Sequence, residues 1–273
     1  MRMVVSTGIA TTRATRTATT RMASISRMMA LTITTSSTGI LATGAVIRTS
    51  TESRLAILRL FHLVSPALPV GAYAYSQGLE YAVEAGWVTD EASTLHWLQG
   101  LSRYSLATLD LPLLLRLQRC WQQNDVPGVH AWTAWLLASR ETAEVRAEER
   151  HLGGALARVL CELDIGEARE WLEGEACFAT LFGLAASRWH IAEADALSGY
   201  LWAWTENQVL AAIKLVPLGQ SAGQRLLHRL TEGMPDLICL AEHLEDEDIG
   251  VSVVRPMLAS ALHETQYSRL FRS

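Results

Sequence analysis

Lysine is almost missing from this chain: Lys214 is the only one among 23 basic residues. No G-x-x-x-x-G-K precedes it, and no dinucleotide fingerprint occurs, so nucleotide binding by either loop is excluded. Cysteine is sparse. Cys120, Cys161, Cys177 and Cys239 contain no C-x-x-C pair, which argues against a structural zinc site and a disulfide scaffold and for reduced thiols in a cytosolic protein. The eight histidines never fall at i, i+4. His263-Glu264-Thr265-Gln266-Tyr267 fails H-E-x-x-H because Tyr267 stands where the second histidine should be, so no metal site and no cofactor is expected. No apolar run approaches the ~20 residues that span a bilayer. Clean period-two alternation is also missing, apart from a weak Val251-Ser252-Val253-Val254, so a sheet is not expected.

Acid is absent from residues 1–50, which carry six arginines, while the whole chain is at −5. The remaining 223 residues therefore hold −11. An acidic body of that size can build one core, and it is a poor partner for nucleic acid, which needs a basic face. Residues 1–50 are rich in Thr, Arg, Met and Ser, without a sustained apolar period. They read as a targeting peptide, a disordered arm or a mis-assigned upstream extension.

From residue 51 the pattern is helical throughout. Leu55, Leu58, Phe61 and His62 recur at three- and four-residue spacing. Further helices are expected at Gln77–Ala85, from Glu91 to about Thr108, and at Leu111–Gln123, which Pro112 opens. Asn124–Gly128 reads as a turn, and Val129–Leu163 as one long or two short helices. Its charge-dense middle, Ser139–His151, reads as a solvated face. Asp164 and Glu167 look like a capping box for Gly166–Ser187, whose small residues Ala179, Gly183 and Ala186 admit a close neighbour. Ala194–Val216, a helix from a Ser221/Gln224 capping box to about Thr231, one opened by Pro235, and Val251–Leu262 complete the set. The fold class is all-α, a single bundle of roughly nine or ten helices over residues 51–273 with a disordered N-terminal arm.

Three stretches stand out from this background. Ser65–Glu80 is an elbow: Pro66 and Pro69 stop any regular element, Tyr73 and Tyr75 follow in a loop, and Ser76 is placed to cap a helix with Glu80 near its positive end. Its tyrosines either pack on the core or present a surface to a partner. The tail from His263 through Glu264, Tyr267, Arg269, Phe271 and Arg272 joins arginine to aromatics, an interface composition rather than that of a frayed end. Lys214 closes a very apolar helix, as a snorkelling cation or a partner contact, just before Pro217-Leu218-Gly219-Gln220-Ser221-Ala222-Gly223-Gln224. Within that block Gly219–Gly223 matches G-x-S-x-G, so a serine hydrolase built on Ser221 is the rival reading. It needs a strand before Ser221 that the sequence does not offer.

The run SPALPVGAYAYSQGLEYAVEAGWV resembles the N-terminal signature of the urease accessory protein UreF family. The HETQYSRLFRS tail and the P-L-G-Q block are similar to two further stretches of that family. The resemblance runs from about Leu55 to Ser273 and leaves out residues 1–50, which favours the disordered or mis-assigned extension. It implies an α-helical, homodimeric, cytoplasmic scaffold without chemistry of its own. Such a scaffold binds UreD (also called UreH) and the GTPase UreG, modulates GTP hydrolysis by that partner and helps insert nickel into apo-urease, with UreE as nickel donor. Carried over by position, the partner-binding residues would be Tyr73, Tyr75, Ser76, Glu80, Lys214, Gln220, His263, Glu264, Tyr267, Arg269, Phe271 and Arg272. A direct nickel carrier is a third reading of the same chain.

Overall fold

Leu111, Leu113, Leu114, Leu115 and Leu117 cover most of their helix and leave a narrow polar strip of Arg116, Arg119 and Gln123, and so wide an apolar face must be covered by neighbours. The computed structural model describes residues 51–250 and 254–272, and in it all five of these leucines are fully buried. The helices are α1 over 51–63, α2 Leu79–Glu84, α3 Glu91–Leu101, α4 Leu111–Gln123, α5 Val126–Ser139, α6 Ala143–Glu162, α7 Phe178–Arg188, α8 Glu193–Leu215, α9 Gln220–Glu232, α10 Met234–His243 and α11 Val254–His263. Among the described residues there is no strand, so the all-α reading holds. No helix among them is long and apolar enough to cross a membrane.

The central helix α4 packs on α5, α7, α8 and α10. Its closest neighbour is α7, whose Gly183 leaves so little room that an added Cβ would lie 3.2 Å from the Gln118 nitrogen. The small stripe of α7 therefore does what its composition suggests. Gln118, fully buried, donates to Ile191 O at 2.8 Å, and Trp121 Nε1 donates to Thr180 O at 3.0 Å. Both of these side-chain donors are thus spent on neighbouring backbone.

Several expected boundaries move. Between α3 and α4 the chain does not break: Ser102–Asp110 continues as a π-helical stretch into α4, so Pro112 lies inside a longer helical run. The turn shrinks to Asn124 and Asp125, because Pro127 sits in the first turn of α5 and Asp125 accepts from the Gly128 N–H at 3.1 Å. Gly166–Ser187 divides into a 3-10 segment, Gly166–Trp171, and α7. Asp164 belongs to the end of α6, at φ 62°. Residues 1–50, with their extension reading, and residues 251–253, with most of the weak alternation, lie outside the described residues.

The largest correction concerns Ser139–His151. Two of its carboxylates do not lie on a solvated face: while Glu141 stays exposed, Glu148 and Glu149 are 5% and 6% exposed. On α6 they share a stripe with Leu152, Ala155 and Leu156, so the periodicity that buries the leucines buries the acids too. Arg140, just past α5, meets Glu149 and also Asp110, the last residue of the π-helical stretch. Burial opposes the Arg140 charge, and Asp110 and Glu149 outweigh it, holding the guanidinium well above its ordinary range. Glu149 also accepts the Phe178 N–H at 3.2 Å, at the start of α7. One guanidinium thus ties four helices together.

Removing it strands two buried acids. Arg140→Leu should destabilise the protein by about 3–5 kcal/mol. Arg150→Leu, which breaks an exposed pair with Glu175, should change stability by no more than about 1 kcal/mol. Urea unfolding of the two variants side by side measures the difference.

Candidate recognition surface

The elbow is built from backbone that only particular residues adopt. Gly71 at φ 82° starts a single 3-10 turn, Ala72–Ala74. Gln77 and Gly78 then stand at φ 50° and 81°, and α2 begins at Leu79. Ser76 is therefore not the residue adjoining the helix. Its Oγ accepts the Glu80 N–H at 3.3 Å instead. A left-handed glutamine is unusual, and its side chain explains it. Gln77 Nε2 donates to Glu148 at 2.9 Å, and Gln77 Oε1 accepts the Trp204 indole N–H at 2.7 Å, so the elbow is fastened to α6 and α8. At Gly78 a Cβ would lie 3.1 Å from Ala259 Cβ and 3.1 Å from the Ser260 nitrogen. Only glycine lets α11 sit this close.

The tail returns onto this elbow. Glu80, 7% exposed, accepts three donors from the far end of the chain. Leu270 N–H reaches Oε1 at 2.6 Å, Phe271 N–H reaches Oε2 at 2.9 Å, and His263 Nε2 lies 3.1 Å from Oε2. The other nitrogen of the fully buried His263 lies 2.9 Å from Glu144, in the first turn of α6, and Arg269 reaches the same carboxylate at 2.6 Å. Glu264 accepts the Glu144 N–H at 3.4 Å, one of the orphan donors of that helix start. Arg272 donates its backbone N–H to Ala74 O at 2.9 Å. Its side chain hydrogen-bonds the phenol of Tyr75, which burial pushes above the usual tyrosine range.

The third sequence block closes the surface. Phe271 packs with Leu79, Ala82, Ala211, Ala212 and Val216, and Leu218 borders the same cluster. Lys214 Nζ lies 5.7 Å from the Phe271 ring centroid, within cation–π range. Gln220 opens α9 and is exposed.

Elbow, tail and lysine block thus form one composite surface, and its residues divide by exposure. Tyr75, Ser76, Glu80, His263 and Phe271 are buried and build it. Tyr73, Tyr267 and Leu270 stand out of it at 68%, 105% and 67% exposure, with Lys214, Gln220, Glu264, Arg269 and Arg272 exposed around them. The sequence did not single out Glu144 or Gln77. Glu144 was hidden in a charge run, and nothing in the residue order marks Gln77 as left-handed.

The hydrolase reading fails on geometry. Ser221 lies in the first turn of α9, whose N-cap is Gly219 with no side-chain cap. Helix α8 runs to Leu215 where a nucleophile elbow needs a strand. The S-x-x-Q capping box is absent for the same reason, since the helix begins one residue before Ser221. Among the described residues no group of three or more His, Cys, Asp or Glu is placed to hold a metal ion.

The described body is all-helical and raises aromatic and arginine side chains on one composite surface, the mix of residue types that protein interfaces favour. Comparison with known proteins gives the family. The UreF family model matches residues 88–231. A urease accessory protein UreF of Alkalilimnicola ehrlichii is 53% identical over 226 residues, covering 82% of this chain and 99% of that protein. Those of Hahella chejuensis and Teredinibacter turnerae are 47% and 49% identical over 219 and 217 residues, each across 80% of this chain and 99% and 98% of theirs. The chain belongs to the UreF family of urease accessory proteins.

Glu80→Gln keeps the shape of the bolt but turns one acceptor into an amide donor facing the tail's donors. It should loosen the tail by about 2 kcal/mol, the scale of a hydrogen bond to a charged group. That is about 30-fold faster tryptic cleavage after Arg269, with helical circular dichroism unchanged.

Proposed function

We propose that this chain is a scaffold in urease maturation. It joins the GTPase UreG to UreD (UreH), modulates GTP hydrolysis by UreG and helps insert nickel into apo-urease, with UreE as the nickel donor. It works in the cytoplasm as a homodimer and performs no reaction itself. The observation that carries this reading is the convergence of elbow, tail and lysine block on one surface. Buried residues there hold Tyr73, Tyr267 and Leu270 outward, and the exposed arginines beside them complete the aromatic–arginine mix of protein interfaces. The family assignment supplies the process, and the surface supplies a place for a partner. Leu58 and Phe61, 61% and 62% exposed on α1, offer an apolar stripe that suits the homodimer.

Deletion of Tyr267–Ser273 should abolish co-purification with UreD and leave helical circular dichroism in place. Because Phe271 also fills an apolar cluster, Tyr73→Ala and Tyr267→Ala are the cleaner probes. Each should weaken UreD binding by at least about 30-fold, the loss of a ~2 kcal/mol anchor. Undiminished binding by both variants removes this surface from the partner interface.

A further inference from the structure

Thr205-Glu206-Asn207-Gln208 interrupts the otherwise apolar stretch of α8 from Tyr200 to Ile213. Thr205 donates its hydroxyl to Leu201 O at 2.8 Å. The other three side chains are not spent in this way. Gln208 is 2% exposed, yet its Oε1 has no hydrogen-bond partner. Glu206 and Asn207 are half-buried, and among the described residues neither side chain makes a hydrogen bond or an ion pair. Burial pushes the Glu206 carboxyl above its ordinary range, with no donor to offset it. Buried polar groups are nearly always paired. Three such side chains in a row call for donors from outside the bundle.

All three line a cavity of about 460 Å³, within the range of about 300–1,000 Å³ typical of small-ligand sites. The elbow, the π-helical stretch, α6 and α11 form most of the rest of its wall. That wall is acidic. It carries Asp110, Glu141, Glu148, Glu149 and Glu206 against a single base, Arg140, and Arg140 is already taken by Asp110 and Glu149. Aromatic rings are its other component, with Phe178, Tyr200 and Trp204 among them. π-Helical backbone is rare and concentrates at functional sites. Here it brings Ser105, Leu106 and Asp110 to the cavity.

The chemistry of this wall narrows the ligand. Carboxylates in such excess repel an anion. A divalent ion needs several closely placed ligands, and among the described residues no group of three His, Cys, Asp or Glu side chains is so placed. An ammonium is a compact, strongly hydrated point charge, whereas a guanidinium is planar, weakly hydrated and able to lie on aromatic faces. It offers N–H donors only, which matches a carboxylate and two amide oxygens. We propose that this cavity binds a guanidinium group, with Glu206 as its counter-ion and the side-chain oxygens of Asn207 and Gln208 accepting further N–H groups. The group belongs to a small alkylguanidine or to an arginine side chain of a partner, and the recognition is the same for both. The site rests on α8 and the cavity wall, not on the identity of any partner.

Calorimetric titration of the isolated full chain tests it with two probes, butylguanidinium and the blocked arginine residue N-acetyl-arginine N-methylamide. The native chain should bind at least one of them with a Kd below about 1 mM. Uncharged butylurea, of nearly the same shape, should bind at least about tenfold more weakly. Glu206→Gln keeps the size and removes the charge, and should weaken the guanidinium probes at least about tenfold. Gln208→Met should weaken them too while leaving the melting temperature unchanged or raised, because no bond within the protein is lost. A merely structural glutamine would lose stability instead. Equal or tighter binding of butylguanidinium assigns the site to a small guanidine, and a preference for the blocked residue assigns it to a partner's arginine. No binding of either probe at about 10 mM overturns the proposal. So does butylurea binding as tightly as the guanidinium, a comparison made on the native chain alone, or an unchanged affinity in Glu206→Gln. Because no partner is present, failure here leaves the UreD-docking reading standing, and failure of that reading leaves this site standing.

Discussion

One buried carboxylate holds the elbow and the tail of this protein together. Glu80 sits in an apolar corner with Leu79 and Ala82, where an unpaired charge would be severely destabilising. No donor side chain on its own short helix answers it. The answer comes from His263 and from the backbone of Leu270 and Phe271, 183 to 191 residues away in sequence. The tail is therefore required by the electrostatics of α2. Because Arg272 then reaches Tyr75 and Ala74, closing the tail also fixes the elbow.

The rest of the bundle gives this closure a rigid floor. The wide leucine face of α4 is covered by its neighbours, and Arg140 ties the end of α5 to Asp110 and, through Glu149, to α6 and the start of α7. Helix α6 then serves two purposes along its length. Its first turn carries Glu144 to His263 and Arg269, its second carries Glu148 to Gln77 and Glu149 to Arg140, and its last turns supply leucines to the core. A shift of α6 along its axis would disturb all of these together, which is why buried polar contacts of this kind specify one packing rather than merely strengthening it.

Much of the fold could be read from residue order alone. The small stripe on α7 and the proline that opens α10 each act through neighbours in sequence, and each is found as expected. Caps were read less well. Ser76 and Ser221 have the right side chains for an N-cap, but the backbone at Gln77 and Gly78 delays one helix, and α9 begins at Gln220, a residue before Ser221. The charged run was misread for a different reason. Local spacing cannot tell a solvated glutamate from one whose partner lies on another helix, and Glu144, Glu148 and Glu149 all have such partners. The elbow, the tail and Lys214 were visible as unusual stretches. That they meet on one surface was not, because nothing in a linear pattern encodes contacts across 190 residues.

That separation also sets an order of assembly. Local helices and their nearest packings form early, whereas a contact spanning most of the chain must await the loop-closure entropy of everything between its ends. Glu80 thus meets Leu270 among the last events of folding. A surface closed by that contact is complete only once the molecule between those residues has folded.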